Sequence, residues 1–533
     1  MPVGVLDKNM TTWEYRKRRI KKFINIFLVL GAMTYGLFIF TSVEGVLSNF
    51  KPSYASKVYL PSWSISLKKN NGIVSPLPAD INVLGVKTSR ALSVPVLLYH
   101  GVVEKPDGEN VTVDQFRRQM FALYEAGYKT VSVKDFYEFN QGKKELPKKS
   151  FLLTFDDGRK DSYYPVDPIL KALDYKAVMF VITKYSLSKE EHNYYLSKNE
   201  LQKMIKSGRW EIQAHAREGH DMAFKVAQDG MGGHYYSNKL WLDKQNRLET
   251  DEEYIQRIKV DVISAKEDIE TGLGVEVISF AYPFGDYGQS SINFPESESM
   301  VHDIVTSIYP MSFYQVWAGQ TFSLNYPEEE SSLIKRVEVK PNWNPNDLLK
   351  ILEIIKDKTL PHEDNFSDYT GWVKKWGRIS LTSNSIILSS QPSTNGGSIF
   401  LEGSYLWEDY IFKSNVKLQK GQTFSLLSRY KDDKNYVSCV FSPEFIRVEQ
   451  MANGKRKLAL VEKGNNKLIG KNKKVGIEVY DNNVACYVDG KAVIRGDNVN
   501  NILEHGGIGF QTWDPQINNS EIIIKGVVVE EIK

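Results

Sequence analysis

Three regimes of hydrophobic patterning follow one another along the chain. The first is a single apolar block. Residues 23–43 carry no charged side chain, and the cluster Arg16, Lys17, Arg18, Arg19, Lys21 and Lys22 precedes them. That length suits one helix crossing a bilayer, and the cationic flank sets the N-terminus in the cytoplasm. The block is long for a signal-peptide core, and no small-x-small cleavage pattern follows it. The expectation is a cytoplasmic basic tail over 1–22, a transmembrane signal anchor over 23–43, and everything beyond outside the cell membrane. Residues 44–90 hold Pro52, Pro61, Pro76 and Pro78 and the break Lys68-Lys69-Asn70-Asn71-Gly72, which reads as an extracytoplasmic stalk.

The second regime, 91–360, alternates short apolar runs with stretches of helical period. Strands are expected over 94–99, 151–155, 177–183, 210–214, 275–282 and 334–339. Between them, Thr112, Ser132, Ser197 and Thr250 stand where helix caps belong, and Glu253 completes a capping box. Further helices are expected over 161–173 and 346–358. Repeated strand–helix units imply an α/β fold with a parallel sheet, closed as a distorted (β/α) barrel. The third regime, 361–533, has no long helix and many short alternating strands. It reads as a C-terminal antiparallel β-sandwich of jelly-roll type.

Composition adds exclusions. Hydrophobic residues make up 42% and charged residues 25%, as in a folded protein. A net charge of +3 gives no argument for a nucleic-acid partner. Cys439 and Cys486 are the sole cysteines, so any metal must be held by histidine and carboxylate. Those two thiols either pair across neighbouring strands or stay free and buried.

The candidate chemistry gathers at strand ends. FLLTFDDG, residues 151–158, runs from buried strand into Asp156 and Asp157. Neighbouring strand residues point to opposite sides, so the two carboxylates should differ in role. His215 follows another strand, and His220 comes five residues later. Two imidazoles and one carboxylate form a catalytic ligand set for a divalent metal, Zn2+ or else Co2+ or Ni2+, with Asp157 as the carboxylate. Asp156 is then the general base. His100, after 94–99, is either the general acid or a buried histidine satisfied by backbone. His234, in a long insertion, is substrate-proximal or structural.

Taken together, TFDDG after an apolar strand, a strand-end His pair and a strand ending in Pro283-Phe284-Gly285 resemble the NodB-homology polysaccharide deacetylases, carbohydrate esterase family four. The resemblance covers about 93–358. Two departures narrow it. The His pair is spaced by five where the family commonly has four, and the Arg-x-Pro-Tyr motif reads Ala281-Tyr282-Pro283-Phe284. With VLLYH upstream, these features are similar to the biofilm poly-N-acetylglucosamine deacetylases. The resemblance implies a metal-dependent N-deacetylation of N-acetylhexosamine units in an extracellular polysaccharide. In it Asp156 is the base, His100 the acid, and Asp157, His215 and His220 the metal ligands. It further implies that the Phe284 N–H binds the oxyanion. Arg336 is a candidate to replace the missing motif arginine. Peptidoglycan deacetylase, O-acetyl polysaccharide esterase and non-catalytic glycan-binding scaffold are the alternatives. Expected partners are the acetylated polysaccharide, the membrane and a polysaccharide synthesis or export complex. The C-terminal sandwich over 361–533 resembles concanavalin-A/laminin-G-like domains, which implies a carbohydrate-binding module, with Trp372, Trp376, Tyr405, Trp407 and Trp513 as residues for stacking on sugars or for the core.

Overall fold

Seven short, largely buried strands build the first domain, with helices or barrel interior covering both faces. They are β1 (Val96–Tyr99), β2 (Ser150–Phe155), β3 (Ala177–Ile182), β4 (Trp210–Ala216), β5 (Ser279–Ala281), β6 (Met311–Gln315) and β7 (Leu333–Glu338). All seven pair in parallel, in chain order around the ring, and β1 closes on both β2 and β7. The short strand Lys129–Thr130 adds to the other edge of β2. The computed structural model describes residues 90–532 apart from 191, 222, 317–321, 328–331, 369, 464–469 and 497–502. The expected anchor over 23–43 and nearly all of the stalk lie outside the described residues. Among the described residues, no helix is long and apolar enough to cross a membrane.

The helices start where the capping chemistry places them. Thr112 and Ser132 accept from Gln115 N and Asp135 N to open α1 (Val113–Glu125) and α2 (Val133–Asn140). Capping boxes at Ser197 and Thr250 open α4 (Lys198–Lys206) and α5 (Asp251–Leu273), with α3 (Asp167–Leu173) before them. α6 (Ser297–Thr306) and α7 (Pro345–Ile355) follow along the chain, and a single helical turn, Thr183–Ser186, comes directly after β3. The sequence expectation of one helix over 161–173 is corrected. A 3-10 turn, Lys160–Ser162, precedes α3, because Pro165 and Pro168 cannot donate backbone hydrogen bonds in a helix interior. Sequence reasoning missed α6 and β6. The β6 segment mixes Ser312 and Gln315 among Met311, Phe313 and Tyr314, which masked a strand buried on both faces.

The β4–β5 pairing is thin, with Phe280 opposite Ala214. Gln213 completes it. Its Oε1 accepts from Ile278 N, Ser279 N and Ser279 Oγ, each at 2.9 Å, so a buried amide substitutes for missing ladder bonds.

Residues from His362 onward form two antiparallel sheets. Strand Tyr410–Lys420 pairs with Glu521–Glu531 and Asn472–Tyr480 in one sheet. Thr423–Asp432 pairs with Asn435–Phe441 and Gly507–Trp513 in the other. Cys439 and Cys486 sit in opposite sheets and are joined by a disulfide through the sandwich core. Their strands face each other rather than pairing edge to edge.

The sandwich and barrel share one core. Phe400, Tyr405, Leu427 and Tyr430 belong to the same buried cluster as the barrel's outer layer. Phe322 packs on Phe400 at 4.9 Å, and Tyr326 stacks on Tyr405 at 4.5 Å. Three of the aromatics considered for sugar stacking are therefore spent on packing. Trp372, Tyr405 and Trp407 are buried, and Trp407 Nε1 donates to Lys358 O at 2.8 Å. Trp376 is half-buried and Trp513 is exposed.

Glu402 locks this junction. It is buried, and its Oε1 accepts from Ser323 N at 3.0 Å and Ser323 Oγ at 2.7 Å. Burial pushes the carboxyl up to about 7, against the Ser323 hydrogen bonds and the charges of Lys358 and Lys335. The folded pKa lies above the unfolded 4.5, so this contribution is complete below about 4.5 and disappears as pH rises through about 7. Glu402→Gln is expected to remove a pH-dependent loss of about 3 kcal/mol. Unfolding curves of both proteins at pH 5.5 and 8 check this. Parallel pH slopes for the two would refute it.

Candidate active site

Strand alternation decides what reaches the barrel's top. Val96, Leu152, Val178, Phe180, Phe313 and Ile334 form the interior cluster, while their neighbours Leu97, Leu153 and Met179 pack outward. Continuing the same period, Asp156 follows Leu152 and Thr154, and Arg336 follows Ile334. Both therefore face the axis. Arg336 Nη1 donates to Asp156 Oδ1 at 2.6 Å and Nη2 to Oδ2 at 2.8 Å, and both residues are buried. This two-pronged pair is the strong form of the arginine–carboxylate contact. The Arg336 guanidinium also lies 5.4 Å from the Phe180 ring. Burial pushes the Asp156 carboxyl up, but Arg336, with His215, overcomes it and holds the group below its ordinary value.

Asp157 diverges from Asp156 for a different reason than strand alternation. β2 ends at Phe155, and Asp157 adopts φ 70°, the left-handed region. Gly158 continues with φ 69°, where a Cβ would lie 2.8 Å from Ser186 Oγ. The tight turn swings the Asp157 carboxylate off the barrel axis, towards the His pair. His215 lies inside β4, one residue before its end, rather than beyond it. Its Nδ1 is 2.8 Å from Ala281 O. That bond places the proton on Nδ1 and leaves Nε2 as the lone-pair nitrogen.

Asp157 Oδ1 lies 3.4 Å from His215 Nε2 and 3.1 Å from His220 Nε2. The three ligand atoms fall within 4.8 Å of one another. Ligand bonds of about 2.0–2.2 Å in a tetrahedron put neighbouring donors roughly 3.3 Å apart, so these spacings suit one divalent cation. Asp157 Oδ1 is buried without a hydrogen-bond partner, a costly state that a cation relieves. The donor set therefore fits a metal.

His100 follows β1, whose Tyr99 pairs with Phe155, so His100 and Asp156 stand side by side at the barrel mouth. Its Nδ1 is 3.8 Å from Glu338 Oε1, and its Nε2 is 3.5 Å from Gln315 Nε2. Ser162 Oγ donates to His100 O at 2.5 Å, and Asn110 Oδ1 accepts from Gly101 N at 2.9 Å, which anchors the turn. Sequence reasoning missed Glu338 and Gln315. The signal was present, since Glu338 is two residues past Arg336 on the same inward face.

Phe284 has φ 59° within Pro283–Gly285. Gly285 N and Asp286 N donate back to Tyr282 O and Pro283 O, which holds the turn. Its ring lies 4.8 Å from His220 and stacks on His234 at 4.6 Å and 12°. His234 Nδ1 is 2.5 Å from Asp286 Oδ2. His234 is thus tied to the Pro283–Gly285 turn, with its ring partly exposed.

Residues 143–297 match the family model for polysaccharide deacetylases. The chain carries a polysaccharide deacetylase domain. The matched segment contains Asp156, Asp157, His215, His220 and Phe284, while His100 and Arg336 lie outside it. The chain is 27% identical over 190 residues to a poly-beta-1,6-N-acetyl-D-glucosamine N-deacetylase of Escherichia coli K12, which covers 33% of this chain and 28% of that protein. It is 32% identical over 115 residues to the Staphylococcus aureus protein of the same name, covering 21% of this chain and 39% of that one. The chain thus spans under a third of the E. coli relative's length. A solved de-N-acetylase from Aggregatibacter actinomycetemcomitans superposes with TM-score 0.42 at 21% identity, over 49% of this chain and all of that one.

Proposed function

We propose that the protein is a metal-dependent de-N-acetylase of an extracellular poly-N-acetylglucosamine-like polysaccharide. The observation that carries this is the buried Arg336–Asp156 pair beside the Asp157–His215–His220 donor set. A divalent cation held by those three groups, Zn2+ in the first instance, would polarise the acetamido carbonyl and acidify a water. Asp156 keeps a free lone pair on each oxygen although Arg336 occupies both, so it can accept the proton of the attacking water. The Phe284 N–H donates to the carbonyl oxygen as charge develops there. His100, whose Nδ1 lies 3.8 Å from Glu338 Oε1, gives a proton to the departing amine nitrogen. The carbonyl–nitrogen bond breaks, releasing acetate and leaving a free amine on a hexosamine unit of the polymer. The names of the E. coli and S. aureus relatives support the choice of polymer.

The basic cluster and apolar block support a membrane anchor with the catalytic domain outside. The Cys439–Cys486 disulfide supports the same oxidising compartment. An anchored enzyme would act beside a polysaccharide synthesis or export complex.

The full chain, recovered from the membrane fraction and reloaded with Zn2+, Co2+ or Ni2+, is expected to release acetate from poly-N-acetylglucosamine oligomers. Release from peptidoglycan or acetylxylan alone would change the substrate, and none from any of the three would refute the enzyme. Recovery in the soluble fraction would refute the anchor. His215→Ala is expected to raise the Zn2+ Kd sharply, leaving weak binding through Asp157 and His220, and to abolish turnover.

A further inference from the structure

The five-residue step from His215 to His220 is shaped by a residue far away in sequence. β4 ends at Ala216, so the N–H groups of Arg217 and Glu218 leave the sheet ladder. Asp261, in the middle of α5, takes both. Its Oδ2 accepts from Arg217 N at 3.1 Å and its Oδ1 from Glu218 N at 2.6 Å. The Tyr236 hydroxyl donates to the same carboxylate. Asp261 is 2% exposed and is met by hydrogen bonds rather than by a cation in ion-pair range among the described residues. A carboxylate buried on those terms persists only where its donors are fixed.

The next residue is templated by the same tyrosine. A Cβ on Gly219 would lie 2.7 Å from the Tyr236 ring and 2.8 Å from the Tyr235 ring, so the chain passes against both rings only as glycine. The Tyr254 hydroxyl in turn donates to Tyr236 O. Arg217, Glu218 and Gly219 are therefore placed from outside, by α5 and the insertion, and His220 emerges from them 3.1 Å from Asp157 Oδ1. His215 needs none of this, because β4 and Ala281 O already hold it.

We infer that Asp261 is the positioning residue for metal ligand His220, acting with Tyr236 through the Arg217–Gly219 backbone and without touching metal or substrate. This rests on the metal reading given above. Asp261→Asn presents one acceptor and one NH2 group to two N–H donors, so one backbone N–H faces another donor. The expected result is a 10- to 100-fold rise in the Zn2+ Kd, the scale on which groups behind the ligands act.

The test is Zn2+ competition against a chromophoric chelator with the full chain, together with a double-mutant cycle. Asp261→Asn should add nothing to the Kd in a His220→Ala background, and its full effect should persist in a His215→Ala background. A general structural weakness would instead raise both backgrounds equally. A Zn2+ Kd for Asp261→Asn within twofold of wild type, or equal effects in the two backgrounds, overturns the inference. Failure of the wild type to bind Zn2+ overturns the metal reading itself. Should Asp261→Asn not fold, Tyr236→Phe keeps the ring against Gly219 and removes one donor. It should raise the Kd two- to fivefold, again only when His220 is present, and an unchanged Kd there counts against the inference.

Discussion

Arg336→Met is expected to destabilise the barrel by about 3–5 kcal/mol, the cost of leaving a buried charge without its partner. The loss should exceed that from deleting the arginine's contacts alone. Asp156 sits beneath the barrel mouth, 2% exposed, and Arg336 supplies two hydrogen bonds and a full compensating charge. Without them the carboxylate must protonate, draw in water or force the local structure open. The decisive measurement is chemical unfolding of Arg336→Met beside Arg336→Met/Asp156→Asn. Removing both charges replaces an ion pair by a neutral pair, so the double variant should recover much of the stability and none of the turnover. Equal destabilisation of the two would show that the guanidinium serves packing against Phe180 and Phe313 rather than the charge of Asp156.

Asp156→Asn should lower kcat by about 10²–10⁴-fold, the usual worth of a positioned base. It should leave Zn2+ affinity within several-fold of wild type, since the donors are Asp157, His215 and His220. The amide still accepts one bond from Arg336 but cannot take a proton from water. Acetate release and chelator competition on the same preparation separate the two effects. Full activity in this variant removes Asp156 from the base role. Loss of metal along with activity would instead move Asp156 into the ligand set.

Much of the site was legible because its signals are local. An apolar strand ending in two carboxylates, and histidines at another strand's end, can be read from a window of a few residues. Position along the chain also indicated the barrel mouth, where strand C-termini meet. What separates Asp156 from Asp157 was misread, because alternation was extended past Phe155 into a turn where Asp157 is left-handed. The His215–His220 spacing was visible, but the clamp that shapes it lies on α5, beyond the reach of local pattern. Aromatic residues were the least legible. Tyr405 and Trp513 look alike as sequence, yet one is buried between domains and the other is exposed on the sandwich.

By itself the sequence determined the α/β and all-β halves, the strand ends that carry chemistry and the residue types available to hold a cation. These follow from hydrophobic period and from the cost of burying carboxylate and imidazole without partners. The sequence offered Arg336 as a candidate partner of Asp156, and tertiary structure decided it. Position 281 offers alanine, and several basic residues further along the chain could in principle compensate the charge. Closure of β7 against β1, with inward alternation from Ile334, brings Arg336 to the carboxylate across 180 residues. Only a closed ring of strands specifies which distant side chains share an axis, and so which cation pairs with Asp156.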